Sequence, residues 1–194
     1  MLGTNPPKRS LPDDPADGRE GRLRLLGLDG ETRRLVRAAI NDAYALSGDE
    51  LDYALARNFR RLRKRMRRFG WRLLGRSARL VLRRGDLVLK FGIDAEGLGQ
   101  NAGEIAFARN MRDGFLGAPA GVKGPEVLVV DVANVPPGWV VERFVPGTKA
   151  TSLPGELREW SGRAELDDLR PSNVVERPDG GLTIVDGGYY RGWP

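Results

Sequence analysis

The chain has 194 residues, 40% of them hydrophobic and 30% charged, enough to bury a core and too apolar for wholesale disorder; at roughly 100–200 residues per domain it holds one domain with an extension. It contains no cysteine and no histidine, which excludes disulfides, thiolate nucleophiles, imidazole acid–base chemistry and the usual zinc sites, and leaves carboxylates, hydroxyls, Lys, Arg and oxygen-ligated hard cations. The formal charge of +6 hides an asymmetry: Arg57 to Arg84 carries thirteen basic side chains and no acid, so the rest of the chain is net acidic. Residues 1–21, with Pro6, Pro7, Pro12 and Pro15 among charges, read as a flexible tail. An extension over residues 22–73 follows. Its first helix is predicted from Leu35, Val36, Ala39, Ile40, Ala43 and Tyr44. Ser47 and Glu50 form a capping box for a second, whose stripe runs Leu51, Leu55, Phe59, Leu62, Met66, Phe69, Leu73, with the arginines opposite and Gly70 ending or bending it.

After Gly75 the period becomes that of strands. Ala78–Leu82 and Leu87–Phe91 flank a Gly85-Asp86 turn, a hairpin signature. Asn101 reads as the N-cap of a short helix carrying Glu104 and ending near Met111. Two strands, Val127–Val132 and Trp139–Phe144, come next, and then a short helical piece, Gly155–Arg163. Val174-Val175 and Leu182–Val185 bracket a turn at Pro178–Gly181, a final hairpin. This order lacks the βαβ rhythm and predicts an α+β fold, with Leu80, Val88, Leu128 and Val141 in one antiparallel sheet. No apolar run is long enough to span a membrane, and no signal peptide is visible, so the chain is expected to be soluble and cytoplasmic.

The strongest chemical signal lies in the last third. Asp168 precedes Asn173 by five positions, and Asp186 follows thirteen later at the end of an apolar strand. A hairpin brings its ends together, so Asn173 and Asp186 can face one cation from opposite strands while Asp168 points at a hydroxyl beside it. That arrangement suits metal-assisted phosphoryl transfer. Two ordinary polar turns would read the same way when taken singly.

In these residues the chain resembles protein kinases and the aminoglycoside- and choline-type kinases. Leu166-Asp-Asp-Leu-Arg-Pro-Ser-Asn173 is similar to their catalytic loop, and Ile184-Val-Asp-Gly-Gly188 to their metal-binding Asp-Phe-Gly. Val88-Leu-Lys90 resembles the lysine strand, and Glu104 the glutamate that pairs with that lysine. Val140–Gly147 resembles the adenine hinge, with Val141 as gatekeeper and Glu142 and Phe144 beside it. Leu74-Gly75-Arg-Ser77 stands where the phosphate loop begins. The likeness runs from Leu74 to Tyr189. It implies a kinase-like N-lobe and hinge over residues 74–147, an antiparallel sheet with one packed helix, and a strongly reduced C-lobe over residues 148–194. The cofactors it implies are ATP and Mg. The residues it implies are Asp168, Lys90 and Arg170 for catalysis, Gly75, Ser77, Lys90, Glu104, Val141, Glu142 and Phe144 for the nucleotide, and Asn173 and Asp186 for the metal.

The departures matter too. Ser77 replaces a phosphate-loop glycine, Leu166 the catalytic-loop histidine and Gly187 the phenylalanine; Arg170 occupies the place of a phosphate-binding cation. Only eight residues follow Asp186, so no activation segment or peptide platform is expected, and a protein partner would have to complete one. Two function classes stay open: a phosphotransferase acting on an unidentified hydroxyl, and a pseudokinase that binds nucleotide or protein. An arginine-rich nucleic-acid binder is a third, through polyanion contacts at Arg57–Arg84; a structural helix face is the favoured reading of that segment.

Overall fold

The structure is a computed structural model that describes residues 63–64, 66–130 and 137–192 together with Gly30 and Arg34. The predicted tail, the first helix, the Ser47–Glu50 capping box and the arginines at 57, 60, 61 and 65 lie outside the described residues. The chain divides into two compact units, Met1–Leu73 and Leu74–Pro194. In the first, residues 66–68 are helical and the helix closes before the predicted Leu73. Gly70, at φ +80°, donates to Arg67 O (3.1 Å), and Trp71 N donates to Met66 O (3.0 Å). This double closure is a Schellman motif, in which only glycine takes the left-handed turn at no cost.

The second unit is mixed α and β. A five-stranded sheet runs in the order β1 (Arg72–Arg76), β2 (Arg79–Arg84), β3 (Leu87–Gly92), β6 (Trp139–Arg143), β5 (Val127–Val130). The β2–β3, β3–β6 and β5–β6 pairs are antiparallel, so Leu80, Val88, Leu128 and Val141 share one sheet as expected. Leu73, predicted to be helical, is a β1 residue. A four-stranded sheet has the order β4 (Val122–Lys123), β9 (Leu182–Ile184), β8 (Val174–Glu176), β7 (Thr148–Lys149), with β4 parallel to β9 and the other pairs antiparallel. Between them in sequence lie α1 (Ala95–Arg112) and α2 (Gly155–Arg163). Among the described residues no helix is long and apolar enough to cross a membrane.

The helix bearing Glu104 starts seven residues before the predicted N-cap. Asp94 caps it, its carboxylate accepting from Gly97 N at 2.8 Å. Asn101 is instead buried within α1 and donates from Nδ2 to Pro137 O at 3.1 Å. The misreading has a physical cause. Gly97, Gly99 and Gly103 lower helix propensity by about 1 kcal/mol each relative to Ala, yet two of them are required. A Cβ on Gly97 would lie 2.8 Å from the Ala78 carbonyl carbon, and one on Gly103 would lie 2.8 Å from Gly188 O. Glycine thus lets α1 approach the β1–β2 turn at one end and the segment after Asp186 at its middle.

β3 is the central strand and is buried at all six positions. Leu80, Leu82, Leu89, Phe91 and Val141 are essentially inaccessible, each contributing about 1.5–3 kcal/mol for a fully buried large apolar side chain. A second core joins α1, α2 and the smaller sheet through Phe107, Leu157, Trp160, Leu166, Val174, Ile184 and Tyr190. The Phe107 and Tyr190 rings lie 5.7 Å apart, tilted by 57°, an arrangement that favours ring edge on ring face. This core sets the β8–β9 hairpin and residues 186–190 against α1.

Candidate functional site

Hairpin register builds the site. The Gly85-Asp86 turn, with Gly85 at φ +58°, pairs Arg84 with Leu87, Val81 with Lys90 and Arg79 with Gly92. Side chains alternate along strands, so Arg79, Val81 and Lys90 share a face. On β6 the partner of Lys90 is Val140 and that of Val88 is Glu142, which places Glu142 on the same face. Val141 pairs with Leu89 and belongs to the other face. The gatekeeper expectation fell on Val141; the β6 side chains that share the face of Lys90 are Val140, directly opposite it, and Glu142.

Four elements then meet in a buried charge cluster. Lys90 Nζ donates to Glu104 Oε1 at 2.5 Å and to Val185 O at 2.9 Å, and lies 2.8 Å from Glu142 Oε2. Arg79 pairs with Glu104 Oε2 through Nη1 and with Asp186 Oδ1 through Nη2, the latter at 2.5 Å. Gly187 N adds a longer bond to Glu104 Oε1 at 3.4 Å. Glu104 thus accepts from β2, β3 and the segment after β9 at once.

Burial of isolated charges is costly, and here the pairing outweighs it. Burial alone would lower the Lys90 pKa, but Glu104 and then Glu142 hold it above the ordinary lysine value. Burial likewise opposes Arg79, which Glu104 and Asp186 hold more firmly charged. For Asp186, burial would raise the pKa, and Arg79 and Lys90 together bring it below the usual carboxylate range. Glu142 goes the other way: burial and the adjacent Glu104 charge push it up to about 8. Its Oε1 is buried without a hydrogen-bond partner.

The catalytic-loop segment lies at the solvent edge. Pro171–Asn173 forms one 3-10 turn leading into β8. Asn173 donates from Nδ2 to Asp168 O at 3.0 Å, and its backbone O accepts from Val185 N at 2.8 Å, so Asn173 and the Asp186 segment are neighbours across the hairpin. Asp168, 28% exposed, is ion-paired with Arg170, which is 71% exposed. Asp167 pairs with Arg191. The two adjacent carboxylates therefore diverge, and the one that meets Arg170 is Asp168. Lys149 on β7, which sequence reasoning missed, bonds Ser172 O; its pKa is lowered by burial, with Asp186 opposing the shift.

Other expected residues sit elsewhere. Gly75 lies within β1, and a Cβ there would meet nothing within 4 Å. Ser77 donates its N–H to Arg79 O at 3.0 Å in a two-residue turn. The expected glycine-rich cradle is thus a tight reversal, with Ala78 O tied to Ile93 N at 2.9 Å; too few residues separate β1 from β2 to form an open loop. Phe144 N donates to Asp86 O at 2.6 Å, and the Arg83 guanidinium lies 3.3 Å from its ring centroid. With Arg79 buried and Arg83 stacked on Phe144, the basic run does not form one solvated face. Where the resemblance predicts Phe, a Cβ on Gly187 would lie 2.8 Å from Phe107 Cγ: a ring from α1 already fills that space.

Asn173 Oδ1 receives a long 3.4 Å contact from Ser172 Oγ, and Arg79 Nη2 and Gly188 N both donate to Asp186 Oδ1. An amide oxygen and a carboxylate oxygen are the donor types that a hard divalent cation takes, and the two residues flank adjoining strands, Asn173 O accepting from Val185 N. Among the described residues no three acidic groups gather at one point.

No family model matches the chain, and no curated protein matches it. Solved structures of WbdD, described as a bifunctional kinase-methyltransferase, are similar to it. One at 2.2 Å overlaps with TM-score 0.44 and 21% identity, over 64% of this chain and 33% of that one. The complex of WbdD with the kinase inhibitor LY294002 gives 0.42 and 22% over the same shares, and a medium-resolution structure gives 0.37 and 26% over 60% and 31%. The chain therefore spans about a third of the WbdD chain. Overlaps this loose assign no residue a role.

Proposed function

We infer that the protein is an ATP- and Mg-dependent phosphotransferase with a minimal kinase-like fold, acting on a hydroxyl acceptor. The observation that carries this reading is the contact of Lys90 with both Glu104 and Val185 O, which joins the lysine strand, the glutamate helix and the segment leading to Asp186. In this reading Lys90, oriented by Glu104, holds nucleotide phosphate, and Asn173 Oδ1 with Asp186 Oδ2 holds the cation. Bound Mg would supply neutralisation of the phosphate charge. Asp168 orients the acceptor hydroxyl, its backbone fixed by the Asn173 amide. Arg170 lies within reach of the same carboxylate and can turn to developing charge at the phosphoryl group.

Calorimetric titration with ATP and Mg tests this. Binding should require both the metal and Asp186, and be lost in Asp186→Asn; Asp168→Asn should keep binding and lose transfer, as expected of a group that acts in the transition state. A second reading, nucleotide binding without transfer, is favoured by the Asp168–Arg170 pair, which neutralises the presumptive base. Intact binding with no turnover in the parent protein, on peptide and small-molecule hydroxyls alike, would select it. No binding at millimolar ATP would defeat both.

A further inference from the structure

Arg79 is a member of the buried cluster that the proposed chemistry leaves unused. It is 2% exposed and spans two carboxylates, Glu104 with Nη1 and Asp186 Oδ1 with Nη2. Its place is set by the β2–β3 register rather than by a free side-chain swing. The same Asp186 oxygen accepts from Gly188 N at 3.2 Å, so Oδ1 is already ringed by donors. Oδ2 receives neither of these donors.

Phosphoryl transfer with two metal ions uses its loop Asp and Asn to hold both. Here one side of the Asp carries a guanidinium, and a like charge repels a divalent ion arriving at the same oxygen. Withdrawing Arg79 would leave Asp186, whose side chain is 40% exposed, without its ion-pair partner and the buried Glu104 with Lys90 alone, which is the costly way to break a shared network. The geometry points to a one-metal nucleotide site in which the Arg79 guanidinium fills the second cation position on Asp186. This rests on the phosphotransferase reading. Arg79 acts through Asp186 and is a positioning residue: it fixes the carboxylate so that Oδ2 meets the single ion.

The test counts ions. Mn²⁺ is titrated into the full chain with a saturating, non-hydrolysable ATP analogue, and free Mn²⁺ is followed by electron paramagnetic resonance. The parent should bind one ion per chain. Arg79→Gln, checked for folding by circular dichroism, should bind two, and Arg79→Lys, which keeps a cation near Asp186, should stay at one. Two ions in the parent, or in Arg79→Lys, overturn the inference while leaving the phosphotransferase reading intact. So does a single ion in folded Arg79→Gln. Absence of analogue-dependent Mn²⁺ binding in the parent overturns both.

Discussion

The two charged regions of this protein obey opposite rules. Around Lys90 the ion pairs are buried, span elements far apart in sequence and share partners, so removing Glu104 or Lys90 disturbs more than one pair at once. Around Asp168 the pairs are more exposed and share no partner, Asp168 with Arg170 and Asp167 with Arg191, and water and salt screen them. The first region is built to hold geometry and the second to let charges move. A site that binds phosphate deeply and turns an acceptor over at its edge needs both.

The sharpest way to break this contrast is to remove its hub. Glu104→Gln takes away the carboxylate that serves Lys90, Arg79 and Gly187 N, and leaves two buried cations dependent on Glu142 and Asp186. It should cost about 3–5 kcal/mol, the range for breaking one partner of a buried pair, read as a lower urea midpoint with unchanged m-value. A loss below about 1 kcal/mol, the exposed-pair range, would show that the cluster is solvated and that the distinction fails.

A smaller effect sharpens the comparison through pH. Glu142 titrates at about 8 in the folded protein against a reference near 4.5. The folded state therefore holds more protons than the unfolded one between those values, and stability contributed by this group falls as pH rises through that window. It is fully present below about 4.5 and lost above about 8. Glu142→Gln mimics the protonated acid and should flatten the stability–pH curve there. Asp186 has the opposite sign: its lowered pKa contributes stability above the ordinary Asp value that is lost on acidification. An unchanged slope in Glu142→Gln would mean that another group titrates in its place.

Lys90, Glu104, Asn173 and Asp186 were legible because motif spacing survives in one dimension, and the structure brings all four to one neighbourhood. Arg79 was not, being one of thirteen cations in an unbroken run. A signal did exist: a two-residue turn at Gly85-Asp86 sets pairing by parity and puts residues 79, 81 and 90 on one face. The α1 start was hidden because glycines chosen for close approach look like helix breakers. β4 and β7 are two residues each, too short to show any period. Their pairing is fixed by tertiary contacts with β9 and β8, and Lys149 arrives at the site with β7.

The smallest expected effect separates two adjacent carboxylates. Asp168→Asn and Asp167→Asn each break an exposed ion pair, so each should change stability by no more than about 0.5 kcal/mol, within the range measured for such pairs. Their functional consequences should diverge. Asp168 keeps its backbone under the Asn173 amide and its side chain beside Arg170, whereas Asp167 is turned to Arg191 in the final segment. Asp168→Asn should therefore lower kcat by about 10²-fold or more, the lower end for a general base, with ATP affinity unchanged. Asp167→Asn should stay within a few-fold of the parent. Steady-state kinetics beside urea denaturation on both variants separates the two quantities. Equal kinetic losses would mean that the carboxylates act as a shared field at the loop, and a larger loss in Asp167→Asn would move the acceptor to the Arg191 side.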